Sequence, residues 1–227
     1  MKLEVASENS VILYITDKPS RATIRQMHSL SDLIRLSLTD VLIDLVPSYT
    51  SILIHFDPLK TDHRSVGQKI KELLPSLKDH HSHQLTGKLV RLPVYYGEEV
   101  ALDLERIAQH HKLNPEEVVT AHCQKIYDVY AIGFAPGFAY LGEVEKHIAM
   151  ARLEAPRASI PAGSVAIADK QTAIYPAATP GGWNIIGRCP SVLFDPDATP
   201  SMPYQVGDQV QFMAINRQEF LDLGGTL

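Results

Sequence analysis

The sequence predicts an α+β chain in two parts. A small α/β sandwich spans residues 1–82, and an antiparallel β-barrel or sandwich spans residues 83–227. Three observations carry this. The first part alternates strand-like apolar runs with two amphipathic helical stretches. A polar stretch without apolar period, KDHHSHQLTG (78–87), interrupts the pattern. After residue 126, short β-type runs recur at intervals of about ten residues, punctuated by glycine and proline.

In order along the chain, SVILYI (10–15) is apolar and β-branched and reads as a strand. In residues 17–38, Ile24, Met27, Leu30, Ile34 and Leu38 repeat at helical spacing, with Asp17 as expected cap and Pro19 in the first turn. VLIDLV (41–46) and SILIHF (51–56) flank Pro47 and Ser48 and read as a hairpin. Residues 62–77 place Val66, Ile70, Leu73 and Leu74 on one helical face. Strand–helix–strand–strand–helix suits a ferredoxin-like sandwich, which a strand after residue 80 would complete. His80, His81 and His83 read as a solvated linker in preference to a metal site, and the pair His110–His111 at a helix end is read the same way.

In the second part, residues 88–97 read as a strand and residues 101–111 as a helix. Asn114, Pro115 and the acids that follow open another helix. The later strands are read at YDVYAIG (127–133), SVAIAD (164–169), TAIYPA (172–177), WNIIG (183–187), SVLF (191–194) and QVQFMAI (209–215). A helical turn, 216–223, follows them.

A net charge of −5 argues against nucleic acid or an anionic membrane as main partner. Cys123 and Cys189 have no metal or redox spacing, which suits a reducing compartment. No signal-like start and no bilayer-length apolar run are present, so the expected location is cytoplasmic.

No P-loop, dinucleotide loop, nucleophile elbow or zinc-protease motif occurs. Three segments carry unusual residues: GFAPGFAYLG (133–142), residues 156–176, and YPAATPGGWNIIGRCP (175–190). The last contains Trp183, the chain's one tryptophan. Glycine lets backbone approach a ligand, and exposed N–H groups hold oxyanions. Arg157 and Arg188 match carboxylate or phosphate geometry, or make structural ion pairs. Ser164 and Cys189 are weak nucleophile candidates, because Ser164 lacks an elbow and strand neighbours of Arg188 point the other way. Trp183, Phe134 and Phe138 read as core residues, although Gly181 and Gly182 favour an exposed turn before the indole.

The motifs HCQKIYDVYAIGFAPGFAYLG, PRASIPAGSVAIADKQTAIYPAATPGGWNIIGRCP and GDQVQF, in that order, resemble the allophanate hydrolase subunit 1 family, most densely over about 120–195. The resemblance implies a small N-terminal α/β domain and a cyclophilin-like C-terminal barrel. It implies the B subunit of an ATP-dependent 5-oxoprolinase. Such a chain would act with A and C subunits, the latter biotin-dependent-carboxylase-like, to open 5-oxo-L-proline to L-glutamate. ATP, free or magnesium-bound, would be co-substrate, with no tightly bound cofactor or metal. Lactam opening needs oxyanion donors, cations for phosphates and a proton shuttle. Arg157, Lys170 and Arg188 are expected to face anions, and His122 to be the shuttle or a helix-end structural histidine. Phe134, Pro136, Gly137, Phe138, Gly163, Ser164, Gln171, Gly181, Gly182 and Trp183 are expected to line the substrate or ATP pocket. Alternatives within the family are an inhibitor of a sporulation histidine kinase and a component of an enzyme for allophanate or a urea derivative. A prolyl isomerase is a third class, resting on fold alone. Two positions depart from the family pattern: Cys189 stands where threonine is usual, and Asp169 where glycine is frequent.

Overall fold

The computed structural model describes residues 1–75 and 87–227. The chain divides into two compact units, Met1–Gly87 and Lys88–Leu227. The boundary read at 82/83, and the linker histidines His80, His81 and His83, lie outside the described residues.

The first unit runs β1 (Lys2–Ser7), β2 (Ser10–Tyr14), α1 (Arg21–Ser37), β3 (Leu42–Ser48), β4 (Ser51–Phe56), α2 (His63–Leu73). Its four strands are antiparallel in the order β1-β2-β4-β3. Ile52, Ile54 and Phe56 alternate along β4 into a core shared with Ile24, Met27, Leu30 and Ile34 of α1. One expectation needs correction. Helix α1 starts at Arg21, not at Asp17, because Pro19 biases Lys18 away from the helical region and Ser20 then caps, accepting from the Thr23 N–H at 3.1 Å. The strand expected just after residue 80 falls outside the described residues, and the fourth described strand of this sheet is Lys2–Ser7, which is mostly exposed and has no apolar run to mark it in the sequence.

The second unit opens with β5 (Leu89–Tyr95), α3 (Leu104–His111), α4 (Pro115–Gln124), β6 (Ile126–Ile132) and β7 (Ala139–Gly142). A 3-10 turn (Lys146–Ile148) leads to β8 (Arg157–Ile160), β9 (Ser164–Ala168), β10 (Gln171–Ile174), β11 (Thr179–Gly181), β12 (Asn184–Arg188), β13 (Gln209–Ile215) and α5 (Arg217–Asp222). Pairing runs β6-β13-β5-β12-β9-β10-β7 and returns from β7 to β6, closing a seven-stranded barrel. The barrel is not wholly antiparallel, because β13 and β5 pair in parallel over seven residues each. These are the first and last barrel strands, so no hairpin dictates their direction. Strands β8 and β11 form a separate two-stranded ribbon.

Leu92, Tyr127, Leu141, Val165, Ile174, Ile186 and Phe212, one from each barrel strand, share one buried cluster. Residues from all seven strands meet only in the lumen, so this is the barrel interior. The expected strand at 191–194 is absent. Leu193 alone is buried there, and its carbonyl lies against Gly137. Helix α4 begins as the sequence implies, with Pro115 in the first turn and a reciprocal Asn114–Glu117 capping box. Asp208 of the GDQVQF motif is buried and accepts from the Lys88 and Gln205 N–H groups, each at 3.0 Å, which fixes the start of β13 beside β5.

Candidate functional site

Strands β9, β10 and β12 are buried on both faces. Val165, Ile167 and Ile174 point into the lumen. The alternate residues Ala166, Ala168, Ala173 and Ile185 face outward and are covered by Phe138, Tyr175, Trp183 and Ile160. Small residues on this outer face leave room for aromatic rings above it. Phe138 is the hub, with edge-to-face contacts to Phe134 (5.2 Å), Tyr140 (5.0 Å), Tyr175 (5.3 Å) and Trp183 (5.7 Å). The three unusual sequence segments therefore converge on one outer face.

Trp183 is buried, not exposed in a turn. The glycines before it act through space: a Cβ on Gly181 would stand 2.4 Å from the Tyr175 hydroxyl, so glycine lets that ring lie under the ribbon. The Arg152 guanidinium lies 5.6 Å from the Trp183 ring centre, on an exposed loop. Phe134 is the one ring of the group that is largely open, at 63% exposure, and it holds a φ of +75°. An exposed aromatic residue in the left-handed region is uncommon and marks a position held there by its surroundings. Pro136 beside it is exposed, whereas Gly137 is buried, with φ +82° and its carbonyl accepting from Tyr204 at 2.7 Å.

The expected cations do not gather. Arg157 donates both arms of its fork to Asp103, at 2.9 and 2.8 Å, so that fork is spent on a structural pair. Lys170 is exposed and sits with Asp169 in the turn between β9 and β10. Arg188 pairs with Ser164 at the other end of β9, roughly 13 Å away at strand rise. A triphosphate needs several cations at one place, so the described residues of this chain do not assemble that site from Arg157, Lys170 and Arg188. Gln171 stands beside Lys170 at the turn end, half-buried. Asp169 adopts φ +52°, which explains why glycine suits that position.

At the other end, Gly163 (φ +79°) lets the chain pass the Cys189 carbonyl, which a Cβ would meet at 2.3 Å. Ser164 is buried and no base is bonded to it, since its hydroxyl has no partner among the described residues. Cys189 faces the interior cluster, and burial raises its thiol pKa. Both observations argue against a nucleophile here.

His122 takes the structural one of its two expected roles. It is fully buried, stacked on Phe212 at 4.4 Å, with both ring nitrogens engaged. Thr172 donates to the Ala166 carbonyl at 3.0 Å, so it accepts from His122 Nε2–H at 2.9 Å, and Nδ1 accepts from the Tyr96 hydroxyl at 2.8 Å. The Cys123 thiol donates to that hydroxyl at 3.4 Å. Burial lowers the imidazole pKa to about 3. A neutral ring with no free nitrogen and no solvent access is a core strut, not a proton shuttle.

The sequence alone does not single out Asp103, Arg152 or Tyr175. Asp103 meets Arg157 across 54 positions, and no local spacing encodes such a contact. Among the described residues, no group of three or more His, Cys, Asp or Glu is placed to hold a metal, and no helix is long and apolar enough to cross a membrane.

A closed seven-strand barrel carrying an aromatic outer face, in a chain with a separate α/β unit, defines the class of protein. The chain belongs to the family described as carboxyltransferase domain, subdomain C and D, which matches residues 1–204. It is 38% identical over 188 residues to the 5-oxoprolinase B subunit of Bacillus subtilis, covering 78% of each chain. It is 33% identical over 214 residues to the 5-oxoprolinase B subunit of Haemophilus influenzae, covering 94% of this chain and 97% of that one. These relatives agree with the resemblance carried by the motifs. Among solved structures, TTHA0988 superposes with a TM-score of 0.78 at 30% identity, over 91% of this chain and 40% of that one, so this chain spans about two fifths of that protein. The urea carboxylase of Kluyveromyces lactis shares the fold, with a TM-score of 0.71 at 16% identity, over 97% of this chain and 22% of that enzyme.

Proposed function

We propose that this chain is the B subunit of a 5-oxoprolinase, which opens the lactam of 5-oxo-L-proline to L-glutamate with hydrolysis of ATP. The observation that carries this reading is the end-to-end match to a curated B subunit, 94% of this chain against 97% of that one. The outer aromatic face is the proposed substrate-facing surface. Phe134, Pro136, Phe138, Gly181, Gly182 and Trp183 form its wall, and Gly163, Ser164 and Arg188 its far edge. Dispersed cations support a site completed by the partner A and C subunits, the latter carboxylase-like, which would hold the phosphates of ATP and supply the proton shuttle. The finer fold reading is a ferredoxin-like first domain, supported by the crossover from β2 through α1 to β3 with β4 between them. The second domain is read as a cyclophilin-like barrel, with the boundary in the polar stretch before residue 88. The proposed location is the cytoplasm.

The test is reconstitution. Purified chain is mixed with its cognate A and C subunits, ATP and 5-oxo-L-proline, and glutamate is measured with and without this chain. Glutamate that requires both this chain and ATP supports the reading. Glutamate at the same rate without it, or none with every component folded and associated, rejects it.

A further inference from the structure

Arg188 is the one lysine or arginine that is buried among the described residues. It is only 7% exposed, yet no carboxylate pairs with it among the described residues. Its Nη1 donates to the Thr226 carbonyl at 2.8 Å, and its Nε is buried without an acceptor. Its cross-strand neighbour on the same face, Ser164, also carries a buried, unpartnered hydroxyl. A buried guanidinium without a counter-charge is costly, and chains that keep one generally match it with an anion. Gly163 lies against this arginine, and a Cβ there would stand 3.3 Å from its Cγ.

The arginine lines a cleft of about 200 Å³. The rest of the lining is mostly apolar or glycine, including Pro176, Pro190, Val192 and Phe220, with Cys189, Ser191 and Thr226 as its polar members, and it holds no second charged side chain. We infer that this cleft is a binding site for a small monocarboxylate with a compact apolar body, its carboxylate on Arg188 and its body against Pro176, Pro190 and Phe220. One buried positive charge balances a carboxylate, whereas a phosphate dianion would need a second donor of charge. The volume equals that of about seven liquid waters at roughly 30 Å³ each, which limits the ligand to a molecule about the size of one small ring with its carboxylate. The site deepens the proposed function by naming the part of the substrate held here, and only the choice of 5-oxo-L-proline as a probe rests on that function.

The test is titration of the purified chain, by calorimetry or ligand-observed NMR, with four probes. These are 5-oxo-L-proline, cyclopentanecarboxylate (same ring size and charge, no lactam), 2-pyrrolidinone (the lactam without the carboxylate) and inorganic phosphate. The two carboxylates should bind and compete with each other, with 2-pyrrolidinone and phosphate at least tenfold weaker. Arg188→Met should weaken carboxylate binding at least tenfold. Val192 is 74% exposed, so Val192→Glu adds charge to the cleft without disturbing the core and should weaken binding several-fold. Equal binding of 2-pyrrolidinone or phosphate, no carboxylate binding at millimolar concentration, or wild-type affinity in both variants would overturn the inference. Glutamate formation by the assembled enzyme with no carboxylate binding to this chain would overturn the pocket alone. Arg188-dependent binding without turnover would leave the pocket standing and remove the enzymatic reading.

Discussion

Arg157 and Asp103 form a two-pronged ion pair that ties the β8–β11 ribbon to the start of α3, and Asp103 also accepts from the Ile185 N–H at 2.7 Å. The carboxylate is almost fully buried and the guanidinium partly so. This one contact both holds the cover of the outer face and removes Arg157 from the pool of free cations. Asp103→Ala leaves a partly buried guanidinium and a buried N–H without partners, so it is expected to cost about 3 kcal/mol in urea unfolding. Arg157→Ala is expected to cost about 2 kcal/mol, and the double variant less than the sum. Wild-type stability in both single variants would show that the pair is idle.

The buried His122 predicts a pH dependence. Its imidazole takes a proton near 6.5 in the unfolded chain and only near about 3 in the folded one. The unfolded state therefore binds more protons between those values, so this contribution is full above pH 6.5 and is lost as pH falls toward 3. Between about pH 6.5 and pH 5 the loss amounts to roughly 2 kcal/mol, at about 1.4 kcal/mol per pH unit. Unfolding measured across this range should be steeper in wild type than in His122→Gln. An NMR titration of His122 should show no proton uptake down to about pH 5.

The glycines separate by what surrounds them. Gly163→Ala must force a Cβ onto the Cys189 carbonyl at a φ of +79°, and a loss above about 3 kcal/mol is expected. Gly182→Ala meets nothing closer than 3.6 Å, and a change within about 0.5 kcal/mol is expected. Thermal melts of the two variants check this contrast, and similar losses in both would contradict it.

Much of this architecture is written in the sequence. The helical period of Ile24, Met27, Leu30 and Ile34 and the Asn114–Pro115–Glu117 start survive as read, because caps and apolar periods are local signals. The β-rich second unit was legible from its punctuation. What was not legible depends on distant partners. The parallel β5–β13 seam joins the two ends of the unit. Exposed β1 is held in part by a residue far along the chain, its Ser7 carbonyl accepting from His63 Nε2–H at 2.8 Å. The site shows the same division: aromatic residues and glycines flagged by sequence converge on one face, while Lys170 and Arg188 fall at opposite ends of β9. His122 looked available only because its partners Tyr96 and Thr172 lie 26 and 50 positions away.

Asp169 occupies a left-handed turn position with φ +52°. Asp169→Gly removes the side-chain penalty at that φ and is expected to raise stability by roughly 0.5–1 kcal/mol. Asp169→Val should lower it, because a β-branched residue tolerates that conformation poorly. Urea midpoints of the two variants moving in the same direction would contradict this account of the turn.

Phe134 tests most directly the proposed part of the outer aromatic face in lactam opening. Its ring is largely exposed, so Phe134→Ala should leave the melting temperature within a few degrees of wild type. Glutamate formation from 5-oxo-L-proline and ATP by the assembly containing that variant is expected to fall at least tenfold. Wild-type glutamate formation by a folded, fully associated Phe134→Ala assembly would contradict the claim.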